Sequence, residues 1–396
     1  MTRSAVRSRS APPGCFSYHR DRHAAKRCVV SKGVLCLIGA GHAHLGVIDA
    51  IRKGKLEAER VLLVEPRTAM QYSGMVPGWM AGEYTLDQTR IPLAPLVEEA
   101  GLEWHREEAI AVSPTDRTIV LESERRLTFD VCSLAIGGAG QAAAVLGCDE
   151  RLLDIRPIDG FVARWSILRN SANRIRDIAV VGGGAGGAEL AFGAANDPAF
   201  DAHITLIAGE GGLLPEMSAM VRRRAKAEYA RQSIRVIEKE AQFVNGSLAV
   251  EGEELPPFDL VVAAVGSGAP EWPARCGLPV NADGFLEVDE HQRVCGIPHI
   301  FAAGDVAHRT DSHIPHSGVH AVYAGPILAR NLQAALKGRA PRNVYRGRGM
   351  DFYLLNTGRG AAILSYGPLG TRARWLRCLK DWLDRRWIAR FTNPAA

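Results

Sequence analysis

The sequence predicts an α/β protein built from two Rossmann-like domains and closed by a carboxyl-terminal amphipathic segment. Three observations carry that expectation. A run of apolar and β-branched residues enters a glycine turn twice, in residues 34–44 (VLCLIGAGHAH) and in residues 178–189 (IAVVGGGAGGAE). A segment reading Phe-Asp, apolar run, glycine follows each turn, at residues 129–138 and 258–267, as an internal duplication would leave it. A last short apolar run, residues 297–305, ends in Gly304-Asp305. One glycine turn is weak evidence for a nucleotide site, but two in one chain point to two nucleotides held by two domains.

Composition sets the bounds. At 396 residues with 47% hydrophobic and 23% charged residues, the chain can bury two or three cores, so disorder is not the default. The net charge of +5 is small, and its placement says more than its size. Residues 1–33 hold Arg3, Arg7, Arg9, Arg20, Arg22, Lys26, Arg27 and Lys32 against the single acid Asp21. They lack the apolar stretch of a secretory signal and read as a disordered or transit-like extension. No run of about 18 apolar residues appears, so no spanning helix is expected and the protein is read as cytoplasmic or peripheral on an inner membrane face. The eight cysteines are scattered without Cys-x-x-Cys pairs, which reads as reduced, mostly buried thiols and no metal site. No nucleic-acid reader motif accompanies the basic ends.

The first unit runs strand 34–38, Gly39-x-Gly41, a helix through Leu45, Val47, Ile48 and Ile51, then strand 61–64 ending at Glu65. Backbone N–H groups at such a helix start face a pyrophosphate, and the terminal acid accepts from ribose hydroxyls. His42 adjoins the turn, where an imidazole can contact phosphate, and His44 replaces the third glycine of the fingerprint. The second unit keeps Gly182, Gly184 and Gly187 and adds Glu189, but its next strand, 203–208, ends in Ala208 with no acid. Glu210 lies two residues on and Arg222, Arg223 and Arg224 lie beyond, so the choice between NAD and NADP stays open. The two return strands reach Gly137 and Gly266, and Asp305 is placed to meet the first nucleotide.

Taken in order, Gly39-x-Gly41, Glu65, the two Phe-Asp strands, Gly182-x-Gly184-x-x-Gly187 and Phe301-x-x-Gly304-Asp305 resemble the pyridine nucleotide-disulfide oxidoreductase superfamily over residues 33–335. Without paired cysteines the chain looks like the branch of type II NADH dehydrogenases and sulfide:quinone reductases. Residues 39–45 and 72–82 are similar to a subgroup associated with selenide, water dikinase. The resemblance implies the glutathione-reductase arrangement: an FAD domain split between residues 34–155 and 290–345, an NAD(P)-binding domain at 156–289, and a C-terminal segment at 346–396. It implies non-covalent FAD held through Gly39, Gly41, Glu65 and Asp305, with Tyr72 in the loop that approaches the flavin, and NAD(P)H held through Gly182, Gly184 and Gly187. A helix starting near Ser317, Gly318 and Val319 would turn backbone N–H groups and a partial positive charge toward the flavin edge.

The resemblance further implies hydride transfer from NAD(P)H to flavin and electron transfer to a quinone-like or other small acceptor. Two departures keep alternatives open. The Ala-Gln pair that type II dehydrogenases carry after Gly-Asp is replaced by residues 316–323, HSGVHAVY, and Cys132, Cys148 and Cys295 do not reproduce the spacing of the cysteines that flank the flavin in sulfide oxidation. A reductase of a sulfur or selenium species, or an idle nucleotide-binding scaffold, are the other readings. His316 and His320, one helical turn apart, are candidates for proton transfer. Toward the end, Trp375, Leu376, Leu379, Trp382, Leu383 and Trp387 recur at helical spacing among arginines. Such a helix suits a membrane surface, with packing on the FAD domain or a homodimer contact as the alternative.

Overall fold

The computed structural model describes residues 33–170, 175–347 and 352–392. The extension expected over residues 1–33 therefore lies outside the described residues, apart from Gly33. Two five-stranded parallel sheets form the frame. In the first, the order is Ile300–Ala302, Val131–Leu134, Val34–Ile38, Arg60–Val64 and Glu103–His105. In the second it is Leu152–Asp154, Leu260–Ala263, Asp177–Val181, His203–Ile207 and Arg235–Ile237. Both sheets place the glycine-turn strand centrally between its return strand and its second strand. All four residues of each return strand are buried, as expected of parallel strands covered on both faces.

The repeated Phe-Asp pair has a structural task in both halves. Asp130 accepts from the backbone N–H of Val34 at 2.7 Å, and Asp259 accepts from those of Arg176 and Asp177 at 2.6 and 3.0 Å. Each carboxylate thus ties the return strand to the first residue of the glycine-turn strand and fixes their parallel register. A small antiparallel three-stranded sheet precedes each pair: Ala109–Ser113, Thr118–Leu121 and Arg126–Thr128 in one half, and Ala241–Val244, Ser247–Val250 and Glu253–Glu254 in the other.

Two helices set the first cleft. His42–Arg52 leaves the first glycine turn and crosses Gly318–Leu336 at a point where glycine meets glycine: a Cβ on Gly325 would lie 2.5 Å from the Ala43 carbonyl oxygen, and one on Gly46 would lie 3.1 Å from Gly325 Cα. No larger side chain fits that crossing without moving one helix. Ser317 caps the longer helix by accepting from His320 N–H, so its N-terminus is held over the first turn.

The C-terminal segment is an antiparallel meander, Phe352–Asn356, Ala362–Tyr366 and Leu369–Ala373, followed by the helix Arg374–Thr392. Here the sequence reading needs correction. The six apolar residues expected on one side are divided: Leu376 is buried and Trp387 turns inward, while Trp375 and Trp382 are 62% and 55% exposed. The buried stripe is Leu376, Lys380, Asp384, Ile388 and Phe391, and it includes two charged residues because the surface it packs on supplies their partners. Among the described residues no helix is long and apolar enough to cross a membrane. The cysteines also differ from the expectation of mostly buried thiols. Of the six described, all free, Cys36 and Cys132 are buried, Cys276 and Cys295 are half-buried, and Cys148 and Cys378 are exposed.

Candidate active site

The first glycine turn is shaped by its return strand. A Cβ on Gly39, whose φ is +84°, would approach the Ala135 carbonyl oxygen to 2.7 Å, and one on Gly41 to 2.4 Å. Both positions therefore require glycine before any ligand is considered. Glu65, at the end of the second strand, is buried and accepts from Ala40 N–H at 2.7 Å. Burial opposes its ionisation, but the two-pronged Arg67 guanidinium and the Ala40 N–H outweigh burial and hold the carboxyl below its usual range. Arg67 also reaches Asp159 at 2.9 Å, tying this corner to the second half of the chain.

Gly41, His42, Gly137, Gly304, Asp305 and Gly318 line one cleft. The residues present fit an anionic dinucleotide there. Gly137 and Gly304 adopt φ of +76° and +80°, and a Cβ on Gly137 would meet nothing within 4 Å, so the space it faces is open. His42 Nε2 is buried without a hydrogen-bond partner among the described residues. Burial, offset in part by Asp305, lowers the His42 pKa to about 4, so a neutral ring faces the cleft. Arg156, also in the cleft, pairs with Asp305 at 2.7 Å. A bound FAD would be held by the turn at Gly39–Gly41, Glu65, His42 and Asp305.

His44, at the position of the missing third glycine, is fully buried. Its Nδ1–H donates to the Gly39 carbonyl at 2.5 Å, and its Nε2 accepts from the Ser133 hydroxyl at 2.9 Å. A carbonyl can only accept, which fixes this tautomer. Burial lowers its pKa to about 4.

The second turn keeps all three glycines, and two of them are demanded by packing. A Cβ on Gly182, φ +135°, would lie 2.2 Å from the Ala264 carbonyl oxygen, and one on Gly187 would lie 2.1 Å from that of Gly182. Gly184 and Gly186 differ, since a Cβ on either would meet nothing within 4 Å. Open space at the start of the helix Ala185–Ala195 suits the diphosphate of a nicotinamide dinucleotide. Gly266, φ +92°, ends the return strand beside it.

The two return strands meet. Ala139 N–H donates to the Gly268 carbonyl at 2.8 Å, and Gly268 N–H donates back to Ala139 at 2.9 Å. Ser267 lies 3.5 Å from Asp305. The loops that follow the two return strands are thus hydrogen-bonded to each other.

Glu189 lies in the helix Ala185–Ala195 that follows the second turn. It is half-buried, accepts from Asn356 N–H at 2.7 Å and lies 3.9 Å from Lys380 Nζ. Burial raises its pKa, with Lys380 opposing. Lys380 also pairs with Asp384 at 3.1 Å and donates to the Gly74 carbonyl at 3.2 Å. Its burial is outweighed by the two carboxylates, and its pKa is raised. Tyr72 donates to Asp384 at 3.1 Å, and its ring stacks on Trp387 at 4.4 Å, with His42 5.6 Å from the same indole. A continuous polar chain, Tyr72, Asp384, Lys380 and Glu189, therefore joins the Tyr72 loop to the second half of the molecule.

His316 and His320 line an adjoining cavity together with Arg309, Gln292 and Tyr345, and it shares Ala303, Gly304, Asp305 and Ala321 with the first cleft. His316 Nε2 lies 3.2 Å from the Ala307 carbonyl, and His320 Nδ1 is 2.8 Å from the Tyr345 hydroxyl. Val319, in the first helical turn between them, is half-buried and lines neither cleft. Sequence reasoning missed Arg67, Arg156, Lys380 and Asp384. Their i, i+4 spacing on one helix was the available signal for the last two, hidden among that helix's many other charges.

Comparison with known proteins agrees with this geometry. The model of the pyridine nucleotide-disulphide oxidoreductase family matches residues 34–325. The chain is 26% identical over 326 residues to demethylphylloquinone reductase NdbB of Synechocystis, covering 77% of this chain and 80% of that one. It is 25% identical over 404 residues to the alternative NAD(P)H-ubiquinone oxidoreductase C1, chloroplastic/mitochondrial, of Arabidopsis thaliana, covering 87% and 77%. Among solved structures, the sulfide:quinone oxidoreductase of Aquifex aeolicus superposes with a TM-score of 0.73 at 16% identity, covering 92% of both chains. The two joined glycine-turn units and the matched family model together place this chain in the pyridine nucleotide-disulphide oxidoreductase family.

Proposed function

We propose that the protein is an FAD-dependent NAD(P)H oxidoreductase that passes electrons to a quinone-like acceptor. The observation that supports this reading is the pair of reciprocal hydrogen bonds between Ala139 and Gly268, which ties together the loops following the two return strands, and from it we infer that the two cradles face one crevice. FAD bound in the first cleft would supply the redox chemistry. The chain's own residues orient and shield. The capped N-terminus of Gly318–Leu336 contributes a partial positive charge at the cleft, and the stacked Tyr72 and Trp387 rings back His42, which lines it. Reducing a quinone consumes two protons, and the Tyr72, Asp384, Lys380 and Glu189 chain holds exchangeable protons beside the loop where the acceptor would enter. The names of the two relatives, a phylloquinone-type reductase and a ubiquinone oxidoreductase, support a quinone over a sulfur species.

The outward face of the last helix, with Trp375, Trp382 and Leu383 exposed beside Arg386, supports docking on an anionic membrane surface. The test has two arms. Reduced protein is mixed with a soluble quinone or with polysulfide, and rapid reoxidation by the quinone alone is the expected result; reoxidation by polysulfide alone rejects the quinone reading. Cosedimentation with anionic vesicles should fall at least several-fold in Trp375→Ser/Trp382→Ser, and unchanged binding removes the membrane role.

A further inference from the structure

The second strand of the donor domain ends in Ala208, where dinucleotide folds place the acid that reads the adenosine ribose. The structure brings another acid to the same edge. The third strand, Arg235–Ile237, pairs with His203–Ile207, and Ala208 N–H donates to the Ile237 carbonyl at 2.7 Å, so Glu238 emerges beside Ala208. The loop after Ala208 folds back onto the glycine turn: a Cβ on Gly183 would lie 2.4 Å from the Ala208 carbonyl oxygen and 2.3 Å from that of Gly212. Leu214 N–H donates to the Gly183 carbonyl at 2.7 Å. The same loop is pinned to Glu238, whose Oε1 accepts from Leu213 N–H at 3.0 Å and lies 3.0 Å from where a Cβ of Gly212 would stand. Gly209 in this loop, φ +69°, has nothing within 4 Å of its Cβ position. An unbroken series of contacts therefore runs from the diphosphate-binding turn through Gly183 and Gly212 to the Glu238 carboxylate.

We propose that Glu238, carried on the third strand, supplies the acid that the second strand lacks and sets a preference for NADH over NADPH. This rests on the donor-site reading above. Glu238 is 39% exposed, with Oε1 spent on the loop and Oε2 turned outward to Lys226 Nζ at 2.5 Å. A ribose 2′-hydroxyl can donate to Oε2. A 2′-phosphate at the same place meets a carboxylate, and the nearby cation is already neutralised by it. Removing the carboxylate charge frees Lys226, with Arg222 in the same field, to receive the phosphate.

The experiment measures dissociation constants of NADH and NADPH by anaerobic equilibrium dialysis against dithionite-reduced wild type, Glu238→Gln and Glu238→Gln/Lys226→Ala, since a flavin already reduced takes no hydride from the dinucleotide. Glutamine keeps the oxygen that accepts from Leu213, so the loop stays anchored. The wild type should bind NADH more tightly. E238Q should shift the ratio toward NADPH by about tenfold, the size of one removed like charge at close range in a half-exposed site. In the E238Q background, Lys226→Ala should reverse that gain. Tighter NADPH binding by the wild type, or a ratio that E238Q leaves unchanged, overturns the inference while the donor site itself stands. Binding of neither dinucleotide by the wild type overturns the donor site and the inference together.

Discussion

The two glycine turns share one topology and close in opposite ways. In the second, Gly187 lets the helix descend until its backbone lies against the Gly182 carbonyl, where a single Cβ would come within 2.1 Å. In the first, the equivalent residue is His44, and the gap is bridged by an imidazole that binds Gly39 on one side and Ser133 on the other. The third glycine of a dinucleotide turn is thus one solution to joining helix and strand, and a buried neutral side chain of the right length is another. The cost of the second solution is that the joint acquires a titratable group.

Substitutions can break this comparison at either end. The largest effect is expected from Gly187→Ala, because the clash is with the Gly182 backbone carbonyl, which cannot swing aside as a side chain can. About 3 kcal/mol or more of stability should be lost, read as a large drop in the thermal midpoint. His44→Ala leaves the Gly39 carbonyl and the Ser133 hydroxyl without partners and should cost roughly 2–4 kcal/mol. His44→Gly separates room from bonding: if the position only needs space, glycine will match the wild type, and if the bridge matters, glycine will be no better than alanine.

Acid should expose the same difference. His42 and His44 have folded pKa values of about 4 against 6.5 when unfolded, so between those values the unfolded chain binds more protons and stability falls as pH falls. Each ring accounts for roughly 3 kcal/mol, fully present above pH 6.5 and lost progressively toward pH 4. Stability curves from urea denaturation at pH 7 and pH 5 check it, and His44→Gln should flatten the slope by about half. The smallest effects belong to the feature the halves share. Asp259→Ala, losing two N–H contacts, should destabilise by about 1–2 kcal/mol, and Asp130→Ala, losing one, by about 1 kcal/mol. Equal losses would contradict the view that these carboxylates act through those bonds.

The comparison also shows what the sequence could reveal. Glycine turns, Phe-Asp pairs and apolar strand runs are local patterns, and they were enough to read both parallel sheets and the family. The roles of Lys380, Asp384 and Glu238 were not legible, because each depends on partners far along the chain or on an adjacent strand. Lys380 is buried with the help of Gly74 and Glu189, which lie 306 and 191 positions earlier in the chain, as well as of Asp384 on its own helix. The helix pattern around Trp375 and Trp387 misled for the same reason, since periodicity reports which residues share a face and not which face finds charged partners.

The account stands on the shared crevice between the two cradles, and anaerobic absorbance titration of FAD-loaded protein with NADH tests it most directly. It predicts that the flavin band bleaches in proportion to NADH added, at one NADH per flavin, and that Gly184→Val, which fills the open space at the second turn, weakens this response by at least tenfold while the protein retains its flavin. Flavin that binds yet stays oxidised under excess NADH would contradict it.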